Sequence, residues 1–211
     1  MELNQTRLHV HGCYHNGVTD SPDSSFAQNV HTVFLDRDGV LNEKMPEGQW
    51  VTKLADLHVL PGVPQAIARL NRAGMLVIVV SNQRGIALGL FSSADVETIH
   101  AELQRILQAH GAHIDGFHYC PHDRLQCNCR KPLPGMFEQA RRYFPQIRAA
   151  TSSIFGDSLS DIEFGRRLGM RTIFIQGNVQ RQKPGAEKAA EMADRRFNSL
   201  PEAVNALLDG S

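Results

Sequence analysis

The sequence predicts an α/β protein built as a three-layer, doubly wound parallel sheet with helices on both faces. Three observations lead there. Short, largely apolar runs at 33–35, 75–80 and Arg171–Ile175 have the length of strands and the near-continuous hydrophobicity of strands buried on both faces. The stretches between them carry apolar residues at helical spacing, as Val63, Ala66, Ile67 and Leu70 do. The two kinds of segment alternate along the chain, the pattern expected of βαβ units and hence of a parallel sheet.

Taken in order, the run at 33–35 is a first strand, followed by a long loop over 40–60. A helix is expected over 62–73, closed by Gly74, where a residue free to adopt positive φ ends the last turn. It leads directly into the strand at 75–80. Ser92 and Ser93 ahead of Ala94-Asp95-Val96-Glu97 form an N-cap signal for a helix that runs to His110 and stops at Gly111. A strand near 116–119, a helix over 135–144, a strand at 153–155, a helix at Leu159–Leu168 and the strand Arg171–Ile175 complete the alternation. A closing helix is expected over 200–208. Residues 1–30 are polar and aperiodic and read as a flexible extension, so the folded domain is expected to be 31–211. His9, His11 and His15 beside Cys13 match no standard metal spacing, and a mobile tail is the better account of them.

Composition narrows the function classes. The chain has 211 residues, enough for one substantial core, and its 22 Lys plus Arg balance 22 Asp plus Glu. That balance gives no support for a nucleic-acid or acidic-membrane partner. The most apolar stretch, 75–80, is far too short to span a bilayer, and no basic-then-apolar leader precedes the fold. A cytoplasmic protein acting as a monomer on a small molecule is expected.

Polar residues gather where strands end, which is where open α/β sheets place their ligands. Asp36 and Asp38 flank Arg37 just after the first strand, and Gly39 allows a sharp turn. Ser81-Asn82 follows the second, with a hydroxyl and backbone amides suited to a phosphate oxygen. Arg130-Lys131-Pro132 supplies two cations for a dianionic group. Gly156-Asp157-Ser158-Leu159-Ser160-Asp161 places two more carboxylates at a strand end and in the first turn of a helix. Each alone has an ordinary explanation as a turn, a solvated pair or a helix-start acid; the four together do not.

A separate loop carries Cys120-Pro121-His122 and Cys127-Asn128-Cys129, a C-x-H-x4-C-x-C arrangement. Three thiols and an imidazole so close together suit one tetrahedral Zn²⁺, and a full set of four protein ligands makes the site structural.

In order and kind, the four polar clusters resemble the four motifs of the haloacid dehalogenase superfamily of phosphohydrolases. That resemblance implies a Rossmann-like fold, with Asp36 as the nucleophile that forms an aspartyl-phosphate and Asp38 as the general acid and then base. It implies Mg²⁺ on the Asp36 carboxylate, the Asp38 backbone carbonyl and Asp157, with Asp161 close by. It further implies Ser81 and Lys131 as the grip on the transferring phosphoryl group.

The zinc loop directly ahead of Arg130-Lys131-Pro132, together with Asn82-Gln83-Arg84-Gly85-Ile86-Ala87, is similar to a capless subgroup containing heptose bisphosphate and histidinol phosphatases. The resemblance favours loss of the C7 phosphate of a heptose bisphosphate. Histidinol phosphate is the alternative substrate, and a non-catalytic zinc-stabilised binding module a third reading. Arg84 stands where heptose enzymes commonly carry Ser, Ser158 where many relatives carry Lys, and the short spacer 123–126 is closer to the histidinol type. With no large insertion to make a cap domain, the loops 41–53 and 83–89 and the zinc loop, with Asn82, Arg84 and Arg130, are expected to enclose the substrate. Trp50 is either a stacking wall there or simple packing.

Overall fold

The structure is a computed structural model and describes residues 29–210. The extension expected at 1–30, with His9, His11, Cys13 and His15, lies almost wholly outside the described residues. Six strands form one sheet, β1 (Thr32–Leu35), β2 (Leu76–Asn82), β3 (Gly116–Cys120), β4 (Ser152–Gly156), β5 (Arg171–Ile175) and β6 (Arg195–Phe197). Their spatial order is β3-β2-β1-β4-β5-β6, and every pairing is parallel. Six helices cross between or close them: α1 (Val63–Arg72), α2 (Ser93–Gln108), α3 (Gly135–Tyr143), α4 (Leu159–Leu168), α5 (Ala186–Met192) and α6 (Leu200–Asp209).

β1 is central because its residues bury on both sides. Side chains alternate across a strand, so Val33 and Leu35 face one layer and Phe34 the other. Val33 and Leu35 belong to a core with Ile67 and Leu70 of α1, Leu103 of α2 and Leu207 of α6. Phe34 packs with Ile78 and Val80 of β2, Met136 and Phe137 of α3 and Phe164 of α4. Burying a side chain of this size contributes about 2 kcal/mol, so the two layers fix both register and face.

The helix-boundary signals held up. Ser92 caps α2 by accepting from the Asp95 amide while Asp95 accepts from the Ser92 amide. Gly62, with φ of 75°, sets up the entry to α1, and Gly74, with φ of 73°, follows its end. Two elements were not expected. α5 has seven residues, too few to display a helical period, and β6 is Arg-Arg-Phe on the sheet edge, with both arginines exposed. β2 also runs two residues past the apolar stretch, which carries Ser81 and Asn82 into the sheet itself. No described helix is long and apolar enough to cross a membrane.

The topology locates the site. From β1 the chain winds outward through β2 and β3, then returns to β4 on the other side of β1 and winds outward through β5 and β6. The order therefore reverses between β1 and β4, and the crevice outside their carboxyl ends is where such a sheet holds a ligand.

Candidate active site

At that crevice, Asp36 follows β1 and Asp157 follows β4, so adjacency of the two strands brings together carboxylates far apart in sequence. The Asp36 amide donates to Phe155 O at 2.9 Å, extending the β1–β4 ladder to the edge of the site. Two glycines allow the close approach. A Cβ on Gly39, which also has φ of 96°, would collide with the Asp157 carboxylate, and one on Gly156 would collide with the Asp161 side chain.

Oxygens of Asp36, Asp157 and Asp161 all lie within 4.8 Å of one another, and all three residues are buried. Lys131 binds two of them. Its Nζ is 2.9 Å from Asp36 Oδ1 and 2.5 Å from Asp161 Oδ1, and it donates to Val80 O at 2.6 Å. Burial raises the Asp36 pKa, with repulsion from Asp161 and Asp38 adding to it and Lys131 opposing it. Burial likewise pushes Asp157 up to about 7, against the pull of Lys44. Asp161 is held below the usual carboxylate range, because Lys131 and the Ser158 hydroxyl outweigh its burial. Three buried carboxylates against the ammonium groups of Lys44 and Lys131 leave an acidic pocket, and among the described residues Asp157 Oδ1 has no hydrogen-bond partner. The donor set fits a hard divalent cation such as Mg²⁺.

Asp38 is arranged differently. Its carboxylate accepts from Arg37 Nη2 at 2.9 and 3.0 Å, from Arg37 Nε at 3.1 Å, from Asn42 Nδ2 at 3.0 Å and from Gln83 Nε2 at 3.1 Å. Although burial opposes it, these donors hold the carboxyl below its ordinary range. Arg37 is fully buried, and behind it the His100 ring nitrogen lies 3.4 Å from Nη1. Burial and the adjacent guanidinium lower His100 to about 3, so it faces Arg37 as a neutral imidazole, stacked on Phe117 at 4.6 Å. This setting favours ionised Asp38, the form able to accept a proton; donating one requires the carboxyl to turn from Arg37.

The other expected residues are assembled, with one change of emphasis. Ser81 is buried beside the cluster, its Oγ accepting from Gln83 Nε2 at 2.8 Å. Asn82 uses both ends of its amide on the Lys131 backbone, donating to Lys131 O at 3.1 Å and accepting from Lys131 N at 2.9 Å. Its side chain therefore braces the cation. Arg84 pairs with Asp123 at 2.5 Å, tying the loop after β2 to the Cys loop. Arg130 Nη1 is buried and has no hydrogen-bond partner among the described residues. A cleft of about 930 Å³ opens above Asp36, walled by Trp50, Arg84, Arg130 and Lys183 among others.

The Cys loop closes as expected. Cys120 Sγ is 3.5 Å from Cys127 Sγ, Cys129 Sγ is 3.4 Å from Cys127 Sγ, and His122 Nδ1 is 3.3 Å from Cys129 Sγ and 3.8 Å from Cys120 Sγ. A tetrahedron with Zn–S of about 2.3 Å and Zn–N of about 2.1 Å has edges of roughly 3.5–3.8 Å. Burial raises the Cys120 and Cys129 thiols, so a cation is needed before all three can be thiolates. Cys120 ends β3 and Cys129 immediately precedes Arg130 and Lys131, so the cluster fixes the cations' starting point.

Sequence reasoning placed Asn42, Lys44 and Gln83 only as members of the loops 41–53 and 83–89, and gave none of them, nor Arg37, a role of its own. Gln83 sits next to the Ser81-Asn82 pair and was within reach of that argument. Lys44 lies on a long loop without periodicity, and nothing local marks it.

Comparison with known proteins is consistent with this geometry. A family model described as HAD-hydrolase-like matches residues 128–203. The D-glycero-alpha-D-manno-heptose-1,7-bisphosphate 7-phosphatase of Mycobacterium bovis is 38% identical over 169 residues, covering 80% of this chain and 86% of that protein. The D-glycero-beta-D-manno-heptose-1,7-bisphosphate 7-phosphatase of Escherichia coli K12 is 33% identical over 186 residues, covering 84% and 95%. The crystal structure of D,D-heptose 1,7-bisphosphate phosphatase from B. bronchiseptica, complexed with magnesium and phosphate, superposes with a TM-score of 0.75 at 31% identity, covering 86% of this chain and all of that one.

Proposed function

The chain belongs to the D-glycero-D-manno-heptose-1,7-bisphosphate 7-phosphatase family of HAD-like hydrolases, and from that premise we propose that it removes the C7 phosphate of a heptose 1,7-bisphosphate through an aspartyl-phosphate on Asp36. It is a phosphoric monoester hydrolase. The observation that carries the finer reading is the buried Asp36 carboxylate, held against Lys131 at the base of a cleft rimmed with cations.

Phosphoryl transfer requires alignment and charge compensation more than covalent assistance. Asp36 attacks phosphorus, the bond from phosphorus to the sugar oxygen breaks, and Asp38, turned from Arg37 and carrying a proton taken from solvent, gives that oxygen its proton. Asp38 then takes a proton from a water whose oxygen attacks the aspartyl-phosphate, releasing inorganic phosphate and restoring Asp36. Ser81 and Lys131 hold the non-reacting oxygens, while Arg84 and Arg130 grip the remainder of the substrate. Asp36, Asp157 and the Asp38 carbonyl, with Asp161 beside them, would hold Mg²⁺, which when bound supplies the charge that lets a carboxylate approach a phosphate dianion.

Cys120, His122, Cys127 and Cys129 hold a structural Zn²⁺ in this reading, because four protein ligands leave no position open for substrate. Elemental analysis of the purified chain should then find one zinc per molecule; a fully active preparation containing none would remove the zinc assignment.

The substrate is tested by comparing kcat/KM for both anomers of D-glycero-D-manno-heptose 1,7-bisphosphate with that for histidinol phosphate. The better heptose anomer should win by about 100-fold, since a site that makes polar contacts to one substrate rejects analogues that leave its buried groups unpaired. Equal or faster turnover of histidinol phosphate would overturn the heptose assignment.

A further inference from the structure

Lys44 is a buried ammonium, and among the described residues its side chain has a single partner, Oδ2 of Asp157. Asp157 is also one of the three carboxylates grouped to hold a metal ion. We propose that Mg²⁺ and the Lys44 ammonium compete for the Asp157 carboxylate, and that the displaced Lys44 turns into the adjoining cleft as a binding residue for the anionic substrate. This rests on the reading of Asp36, Asp157 and Asp161 as the Mg²⁺ site.

The first argument is charge. Asp157 is buried, where screening is weak, and an ammonium and a divalent ion on one carboxylate repel each other strongly. The better-charged cation keeps the carboxylate, and a lysine forced off it cannot remain buried without another anion.

Position supplies the second. Lys44 and Arg181 line both the substrate cleft and a side cavity of about 220 Å³ that reaches Asp157. The Lys44 side chain therefore stands in the wall between the ion-binding carboxylate and the space where a phosphate ester would lie.

Anchoring supplies the third. The Lys44 backbone is tethered, with its carbonyl accepting from Arg181 Nη1 at 3.0 Å. The backbone amide of its neighbour Glu43 donates to His58 O at 2.8 Å, and the Glu43 carbonyl accepts from Asn42 Nδ2 at 2.8 Å. With the backbone held at both residues, moving the ammonium needs a change of rotamer and no movement of the loop, which is a small cost. The cleft it would turn into already gathers Arg84, Arg124, Arg130, Lys131, Arg181 and Lys183, so a further cation there matches an anionic ligand.

The test uses the full chain and the variants Lys44→Met and Lys44→Gln. Calorimetric titration should show Mg²⁺ binding about tenfold tighter in both variants than in wild type, with a larger Mg²⁺-induced rise in Tm, because the competing cation is gone. Inorganic phosphate, titrated into the Mg²⁺-saturated proteins, should bind several-fold more weakly to the variants. In turnover the loss should fall on KM more than on kcat. If Lys44 instead orients Asp157 for an ion bound through Oδ1, the variants will bind Mg²⁺ more weakly, and that result, or an unchanged affinity, overturns the proposal. Unchanged phosphate affinity overturns the substrate-binding half of it. Absence of Mg²⁺ binding in wild type as well would overturn the metal-site reading together with this inference, whereas equal binding in all three proteins removes this inference alone.

Discussion

Replacing Asp36 with Asn is expected to lower kcat by roughly 10⁴-fold or more while the protein stays folded, because the amide is nearly isosteric but is no nucleophile toward phosphorus. The environment makes the second half of that expectation specific. Asp36 is buried beside Asp161 and near Asp38, and this burial and repulsion already raise its pKa above the ordinary value. An amide removes one charge from the acidic pocket, and its oxygen still accepts from Lys131 Nζ in place of the carboxylate oxygen now 2.9 Å away. In chelator, Asp36→Asn should therefore unfold at a temperature equal to or above that of wild type, while its Mg²⁺ affinity falls. Substantial residual turnover by a variant shown by mass spectrometry to be free of deamidation would dismiss Asp36 as the nucleophile. A variant that is inactive because it has unfolded would contradict the charge argument instead.

Lys131→Met should damage stability and activity together. The Lys131 ammonium is buried between Asp36 and Asp161 and donates to the Val80 carbonyl. Those two carboxylates raise its pKa against the effect of burial, so it is firmly charged in the fold. Methionine fills a similar volume but leaves two buried carboxylates without their counter-charge, a change that costs about 3–5 kcal/mol. The phosphate grip is lost as well, and kcat/KM should fall by about 10²- to 10³-fold. Denaturation in urea, with and without saturating Mg²⁺, separates the two effects. Mg²⁺ should restore much of the stability by supplying cationic charge to the same pocket, and little of the activity. Lys131→Arg is not expected to rescue either property, because the planar guanidinium is larger than the compact ammonium that fits this space. A Lys131→Met protein as stable as wild type would show that the ion pairs contribute nothing net.

Much of this arrangement is local and therefore readable from the chain. The strand at β1, the helices α1, α2 and α4 with their caps, and the polar clusters at strand ends all depend on residues close in sequence. The Cys120-His122-Cys127-Cys129 loop closes on itself over ten residues, so its spacing alone brings four candidate metal ligands together. α5 and β6 escaped because seven and three residues give no period to detect.

The chain carries the residue types that phosphoryl chemistry uses, in readable positions: two carboxylates after β1, a hydroxyl after the apolar part of β2, a lysine after the Cys loop and two more carboxylates after β4. It did not determine who pairs with whom. Lys44 reaches Asp157 across 113 residues, Lys131 reaches Asp36 across 95, and Asn82 braces Lys131 across 49. Asp38, given acid–base work by the superfamily resemblance, turns out to be held as a carboxylate by Arg37, Asn42 and Gln83, with neutral His100 of α2 behind the guanidinium. The long-range contacts among these exist because β1 lies between β2 and β4 and the strand order reverses there. Side-chain type is written in the chain, but charge pairing in a buried pocket depends on distance and exclusion of water, and only the packed sheet decides both.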